Sequence, residues 1–299
     1  MHRAEQHEAA RAQLRAAVDQ YLGALVHREP ARLPLAPGFR LTENAQVLQI
    51  GDGLWGTASA LGRYRHYVLD TDSGQAGFVG VLRENDRPVI LALRLKVAAG
   101  CFAEAEMIVS REDILFYRGG TEALEAMGGP APIWEEQPAD ADRCSREELI
   151  GVAQSYFAAL ERNDGTRAAP FAPGCRRMDN GVYATQNPEF DKPGEPPFYA
   201  LGPGEQLHTG YFVFVTAIRE RRCPVVDSEL GVVFSVPLLD HAGTVHQARL
   251  TDGRTVPIGV RQPFTWHCAE LFKIKARQIA QIEVVLNKVP YGMRSNWPA

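Results

Sequence analysis

Apolar residues recur along the first segment at Leu14, Val18, Tyr21, Leu22 and Leu25. That spacing places them on one stripe of a helix, so the chain is expected to open with an amphipathic helix that buries a single face. Leu149, Val152, Tyr156, Phe157 and Leu160 repeat the pattern, and Ser145 stands ahead of Glu148 at their start. In such a pair the hydroxyl and the carboxylate each accept a hydrogen bond from an amide left open at a helix terminus. Farther along, the period shortens to two. "LRLKVAAGCFAEAEMIV" from Leu93 and "ELFKIKARQIAQIEVVL" from Glu270 each read as a strand, a short turn and a strand, with Phe102, Glu104 and Glu106 alternating against Ala103, Ala105 and Met107. "FVGVLRENDRPVILALRL" reads as two strands joined at Glu84 to Asp86. Here Val89, Leu91, Leu93 and Leu95 share one face, and Ile90, Ala92 and Arg94 the other. Both faces are largely apolar, which a sheet with one wet side would not need. A curved sheet with helices on its concave side and another sheet against its convex side would cover both.

Phrases also recur. "PLAPGFRLTEN" (Pro34 to Asn44) and "PFAPGCRRMDN" (Pro170 to Asn180) share Pro, Ala, Pro, Gly, Arg and Asn, with Glu43 against Asp179. The helices before them carry "YLGAL" and "YFAAL", and the closing hairpins align Lys96 with Lys273 and Glu106 with Glu283. A helix in front and long antiparallel strands behind define an α+β unit, present twice. The expected organisation is a first unit over 1–135, a linker over 136–144 and a second unit over 145–299. The Pro and Gly of the repeated phrase punctuate a bend from helix to strand. Glu43, Asn44, Asp179 and Asn180 either face a pocket or cap turns. "LWGTASALGRYRHYVLD" reads as a helix or irregular helical turn after a Gly-rich bend. On a helix Arg63, Tyr67 and Asp70 would lie along one side, with Trp55, Tyr64 and His66 mainly packing.

Composition narrows the functional classes. A chain of 299 residues can bury about three quarters of the surface it exposes when unfolded, so it needs no covalent staple. A formal charge of -4 gives no field that would draw nucleic acid or an anionic membrane. The five cysteines stand singly, without a CxxC pair, which suits reduced thiols in a cytoplasmic protein. The N-terminal segment reads neither as a secretory signal nor as a membrane anchor. No GxSxG elbow, phosphate loop or dinucleotide glycine pattern occurs in a strand-turn-helix context, and "GDGLWG" reads as a bend. His208, His241 and His246 lack a standard ligand spacing. Neither a cofactor nor a metal is expected.

The leading "Y(L/F)xAL" helix, the polar strand after a proline break and the closing "FKIxxxxIxxIEVV" hairpin together resemble the nuclear transport factor 2-like, or SnoaL-like, superfamily. The resemblance covers about residues 8 to 135 and again about 145 to 292. It implies two tandem cone-shaped α+β barrels, each with a pocket between helix and sheet, joined sheet to sheet as an internal pseudo-dimer. Further homo-oligomerisation stays open. The superfamily includes dehydratases, isomerases, cyclases, carbon-carbon lyases, hydrolases and binding members, so activity has to be argued from the site.

Two elaborations set the second copy apart. One is the loop "ATQNPEFDKPGEPPFYALGPGE", the other the extension "LLDHAGTVHQARLTDGRTVPIGVRQP". Long irregular insertions in compact domains are commonly lids or binding loops, which puts the expected pocket in the second unit. The chemistry expected there is cofactor-independent acid-base catalysis, an elimination, isomerisation or retro-aldol cleavage of a small hydrophobic or aromatic molecule. His241 or His267 would accept the proton, Asp240 or Asp179 would orient the ring, and Tyr291 would donate to developing oxyanion charge. Asn180, Trp266, Glu270, Phe198, Tyr211 and His208 would contact the substrate. Competing readings stand beside these. Asp240 and His241 precede an Ala-Gly turn that water could cover, and His267 and Glu270 point to opposite faces of a strand, so at most one lines the pocket. Glu270, beside Trp266, Cys268 and Phe272, would need a partner such as arginine, in a salt bridge between sheets or in a site. A non-catalytic small-molecule-binding protein of the same fold is the alternative function.

Overall fold

The structure, a computed structural model, describes residues 2–111, 118–191 and 197–298. The two apolar stripes form α1 (His2–His27) in the first unit and α4 (Arg146–Leu160) in the second. Their buried faces carry Tyr21, Leu22 and Leu25 in one and Tyr156, Phe157 and Leu160 in the other. The Ser145 cap forms as its spacing implies: Glu148 N donates to Ser145 Oγ at 3.2 Å, and Ser145 N to the Glu148 carboxylate at 2.8 Å. A cap of this kind contributes about 1 kcal/mol.

The first unit continues with β1 (Leu35–Glu43), β2 (Gln46–Leu48), α2 (Leu54–Thr57), β3 (Ala58–Asp70), β4 (Gln75–Glu84), β5 (Arg87–Ala98), β6 (Cys101–Ser110) and α3 (Gly120–Met127). The second has β7 (Phe171–Asp179), β8 (Val182–Tyr183), α5 (Pro203–His208), β9 (Ala217–Asp227), β10 (Val232–His241), β11 (Gln247–Arg249), β12 (Thr255–Pro257), β13 (Phe264–Lys275) and β14 (Gln278–Val289). Strand order is β2-β1-β6-β5-β4-β3 in one sheet and β8-β7-β14-β13-β10-β9 in the other, the same order twice. Pairing is antiparallel except β1 with β6 and β7 with β14. The expected barrels are instead open six-stranded sheets. Closure needs a stagger carried all the way round, and the stubs β2 and β8, of three and two residues, offer too few ladder bonds to continue it.

Ala58–Asp70 corrects a second expectation. Only Leu54–Thr57 is helical, and the remainder is a 13-residue strand. Tyr64, His66, Val68 and Asp70 alternate on the side facing the second unit, and Tyr67 and Leu69 between them pack on the first unit's own core, so the period of two is hidden in the sequence.

Each sheet gives one face to its own helix and the other to the opposite sheet. Tyr64, Val79, Ile90 and Ile108 of the first unit share one buried cluster with Val225, Phe234, Leu271 and Val285 of the second. At Gly77 a Cβ would lie 2.6 Å from the Phe234 ring, so the missing side chain is what lets the sheets close there. Polar contacts across this layer are reciprocal. Arg11 of α1 grips Asp227 at 2.8 and 2.9 Å, while Arg146, in the matching place on α4, donates to Asp70 at 2.8 Å. The matched glutamates behave alike: Glu106 takes Arg222 from the second unit at 2.5 Å, and Glu283 takes Tyr64 and His66 from the first at 2.8 and 2.7 Å. The C-terminal tail crosses as well, with Trp297 Nε1 donating to Thr42 Oγ1 at 2.9 Å.

The repeated phrase has a common geometry. Asn44 and Asn180 both adopt positive φ, at 49° and 43°, a conformation asparagine tolerates. Each side-chain amide brackets one residue of the neighbouring strand: Asn44 bonds both N and O of Val109, and Asn180 both N and O of Leu286. Among the described residues no helix is long and apolar enough to cross a membrane.

Candidate functional site

Between α4 and the second sheet lies a cavity of about 980 Å³, at the upper end of ordinary small-molecule sites. The two insertions close over it. Phe198 of the first packs on Tyr211 with ring centroids 4.9 Å apart, and β11 and β12 of the second form a small apolar cluster with Tyr211 and Phe214. Residues 192–196 of the first insertion lie outside the described residues. Aromatic residues make up much of its walls and cover, and ionisable side chains stand at both ends.

The floor follows from strand register. Asp179 on β7 pairs with Val284 on β14, and Val284 with Glu270 on β13. Residues in one cross-strand row share a face, so the two carboxyls project into the same space from backbones about 10 Å apart. Arg177, two residues before Asp179, faces the same way and donates from Nε to Asp179 Oδ1 at 3.1 Å. Tyr156 of α4 completes the group, its ring packed on Phe272 at 5.2 Å. All four residues line the cavity and are buried. Burial pushes the Glu270 carboxyl up to about 8; the Asp179 charge adds to this and Arg177 opposes it. Glu270 Oε2 has no hydrogen-bond partner among the described residues. At neutral pH Glu270 is therefore a protonated acid, able to donate one hydrogen bond and to release its proton. Burial, chiefly, also holds the Tyr156 hydroxyl well above its ordinary value, keeping it a donor.

The first unit lacks this chemistry. In the corresponding row Glu43 and Met107 are followed by Leu93 where the second unit has Glu270, and Leu41 stands in place of Arg177. Trp55 fills the space, donating from Nε1 to Tyr21 OH at 2.9 Å. Glu43 is taken up by Leu54 N at 2.7 Å and Arg111 at 2.6 Å. The copies have the same frame, with a buried Trp55 against Tyr21 in one and an open cavity with an ionisable floor in the other.

Sequence-selected residues fall into three places. Asp179, Glu270, Trp266, His241, Phe198 and Tyr211 line the cavity. His241 stands near its other end: it pairs with Phe264, six residues from Glu270 and about 20 Å along the strand. Its ring stacks on Phe264 at 4.5 Å, and Nδ1 donates to Leu239 O at 3.1 Å, which leaves Nε2 as an acceptor. Burial lowers its pKa to about 4. Asp240 does not orient it. Neighbouring strand residues face opposite sides, and Asp240 is held by Arg219 at 2.6 and 2.9 Å and by Thr265 at 2.6 Å. His267 also faces the other sheet, 3.9 Å from Glu106. Asn180 brackets Leu286, while Tyr291 and His208 are exposed. Arg177 and Tyr156 were missed as site residues. The signal was available in the repeat, where Leu41 against Arg177 and Leu93 against Glu270 replace an apolar residue with an ionisable one.

Residues 142–286 are similar to the family described as "Domain of unknown function (DUF8021)". That stretch contains Tyr156, Arg177, Asp179, His241 and Glu270, and no residue of the first unit's frame. No curated protein matches the chain.

Proposed function

We propose that the second unit is a cofactor-independent acid-base enzyme, a lyase or isomerase, acting on a small hydrophobic or aromatic molecule. In this reading each unit is a cone of the nuclear transport factor 2-like, SnoaL-like kind, and the first supports the second as the other half of an internal pseudo-dimer. One observation carries the proposal: Glu270, buried and with no partner for Oε2 among the described residues, stands in one cross-strand row with Asp179 at the floor of an aromatic cavity. A buried acid whose carboxyl is pushed up to about 8, beside a carboxylate held by arginine, supplies a proton donor and an acceptor. Glu270 donates to a substrate carbonyl or leaving hydroxyl, Asp179 accepts a proton from the adjacent carbon, and Arg177 fixes the Asp179 carboxylate. Tyr156 adds a hydrogen bond to developing oxygen charge.

The test is a turnover screen of enones and β-hydroxy carbonyl compounds with chelator present, comparing wild type with Glu270→Gln and Asp179→Asn. The expected result is turnover that survives chelation and falls by about 100-fold or more in each variant. Saturable binding with no turnover, unaltered by either substitution, would make the protein a binding module instead.

A further inference from the structure

The cavity is polar at both ends, and the charge at its mouth is opposite in kind to the chemistry at its floor. Arg261 lines the mouth and meets His246 Nδ1 at 2.6 Å, but no carboxylate among the described residues pairs with it. Lys288, exposed on β14, holds its ammonium 4.6 Å from the centroid of Phe264, the ring on which His241 stacks. No carboxylate among the described residues pairs with Lys288 either. The acids nearby are engaged: Asp252 by Arg254, at 2.7 Å from Nε, and Asp191 by the backbone amides of Tyr199 and Ala200 at 2.7 and 2.9 Å. Among the described residues, a guanidinium lining the cavity and an ammonium over Phe264 thus keep their charge without a carboxylate partner.

Resting on the reading of the floor as an acid-base site, we infer that the substrate is an elongated aromatic or hydrocarbon carboxylate. Its acid group stays at the mouth with Arg261 and Lys288, its body lies along the aromatic walls, and its reacting carbonyl or hydroxyl reaches Glu270. The orientation follows from desolvation. A carboxylate carried to the floor would lose its water beside Asp179, whereas at the mouth it keeps solvent and gains two cations. The distance of about 20 Å from Phe264 to Glu270 along β13 sets the length.

Three matched probes test this by calorimetric titration at low ionic strength: naphthylhexanoate, naphthylhexanol and naphthylhexylammonium. The acid is expected to bind about tenfold more tightly than the alcohol, with the ammonium weakest. The advantage should shrink toward parity in Arg261→Gln and Lys288→Gln and in high salt. Both substituted residues are exposed, so folding is not at issue. Equal binding of acid and alcohol, or tightest binding of the ammonium, overturns the inference and leaves the floor chemistry standing. Failure of all three to bind overturns the reading of the cavity as a hydrophobic substrate site, and the inference with it.

Discussion

Replacing Glu270 with leucine, the residue the first unit has at the matching position, should stabilise the protein while removing its chemistry. In the fold burial pushes the Glu270 carboxyl up to about 8 from an ordinary 4.5. The folded value is raised, so the wild type's relative stability is complete below 4.5, is lost as pH rises toward 8, and is constant above that. With about 1.4 kcal/mol per pH unit, the accumulated loss is about 3 kcal/mol at pH 7 and about 5 kcal/mol at pH 9. Glu270→Leu escapes this loss, and its side chain suits a floor already bordered by Val284 and Phe272. Urea unfolding of both proteins at pH 5, 7 and 9 reads the difference directly. The variant should be more stable by an amount that grows with pH, and should be inactive, as expected where a site is kept at the expense of stability. A pH-independent difference, or a variant less stable than wild type at pH 9, would show that Glu270 is not a strained buried acid.

Other outcomes follow from the interface and the closed unit. Arg11→Met should cost about 3 kcal/mol by stranding the buried Asp227, and Arg146→Met about half of that, because the Arg146 side chain is 29% exposed against 13% for Arg11. Denaturant midpoints of the two variants check the order. Trp55→Ala should cost about 3–5 kcal/mol through the cavity it opens in the first unit, yet leave naphthylhexanoate binding unchanged in the same titration. His267, buried and lowered to about 4 from 6.5, favours the folded state fully above 6.5 and loses that contribution as pH falls toward 4. His267→Leu should therefore retain about 3 kcal/mol at pH 4 that the wild type loses, seen as a smaller drop in Tm between pH 7 and pH 4.

Much of the frame was legible in the chain because it rests on local rules. The helix stripes, the Ser145 cap and the closing hairpins each depend on residues a few positions apart, and the repeated Asn44 and Asn180 mark one turn twice. The strand Ala58–Asp70 was hidden because its alternation is between two buried layers from different units, which sequence does not display. The floor was hidden for a related reason. Asp179 and Glu270 are far apart in sequence and meet only through their shared neighbour Val284. Asp240 beside His241 looked like a catalytic pair by adjacency, yet adjacency on a strand separates side chains across the sheet. A position-by-position comparison of the two copies would have marked Arg177 and Glu270, since a duplicated frame exposes each place where one copy takes on a charge the other avoids.

The proton on Glu270 is the feature on which the functional account depends. Infrared difference spectra of wild type against Glu270→Gln, followed through a titration from pH 5 to pH 10, measure it without knowledge of the substrate. A protonated-carboxyl stretch present at pH 7, fading with a midpoint of about 8 and missing in the variant, is the expected result. Spectra that show no protonated carboxyl at pH 7 in the wild type would contradict the account, leaving an ionised Glu270 that cannot serve as the acid.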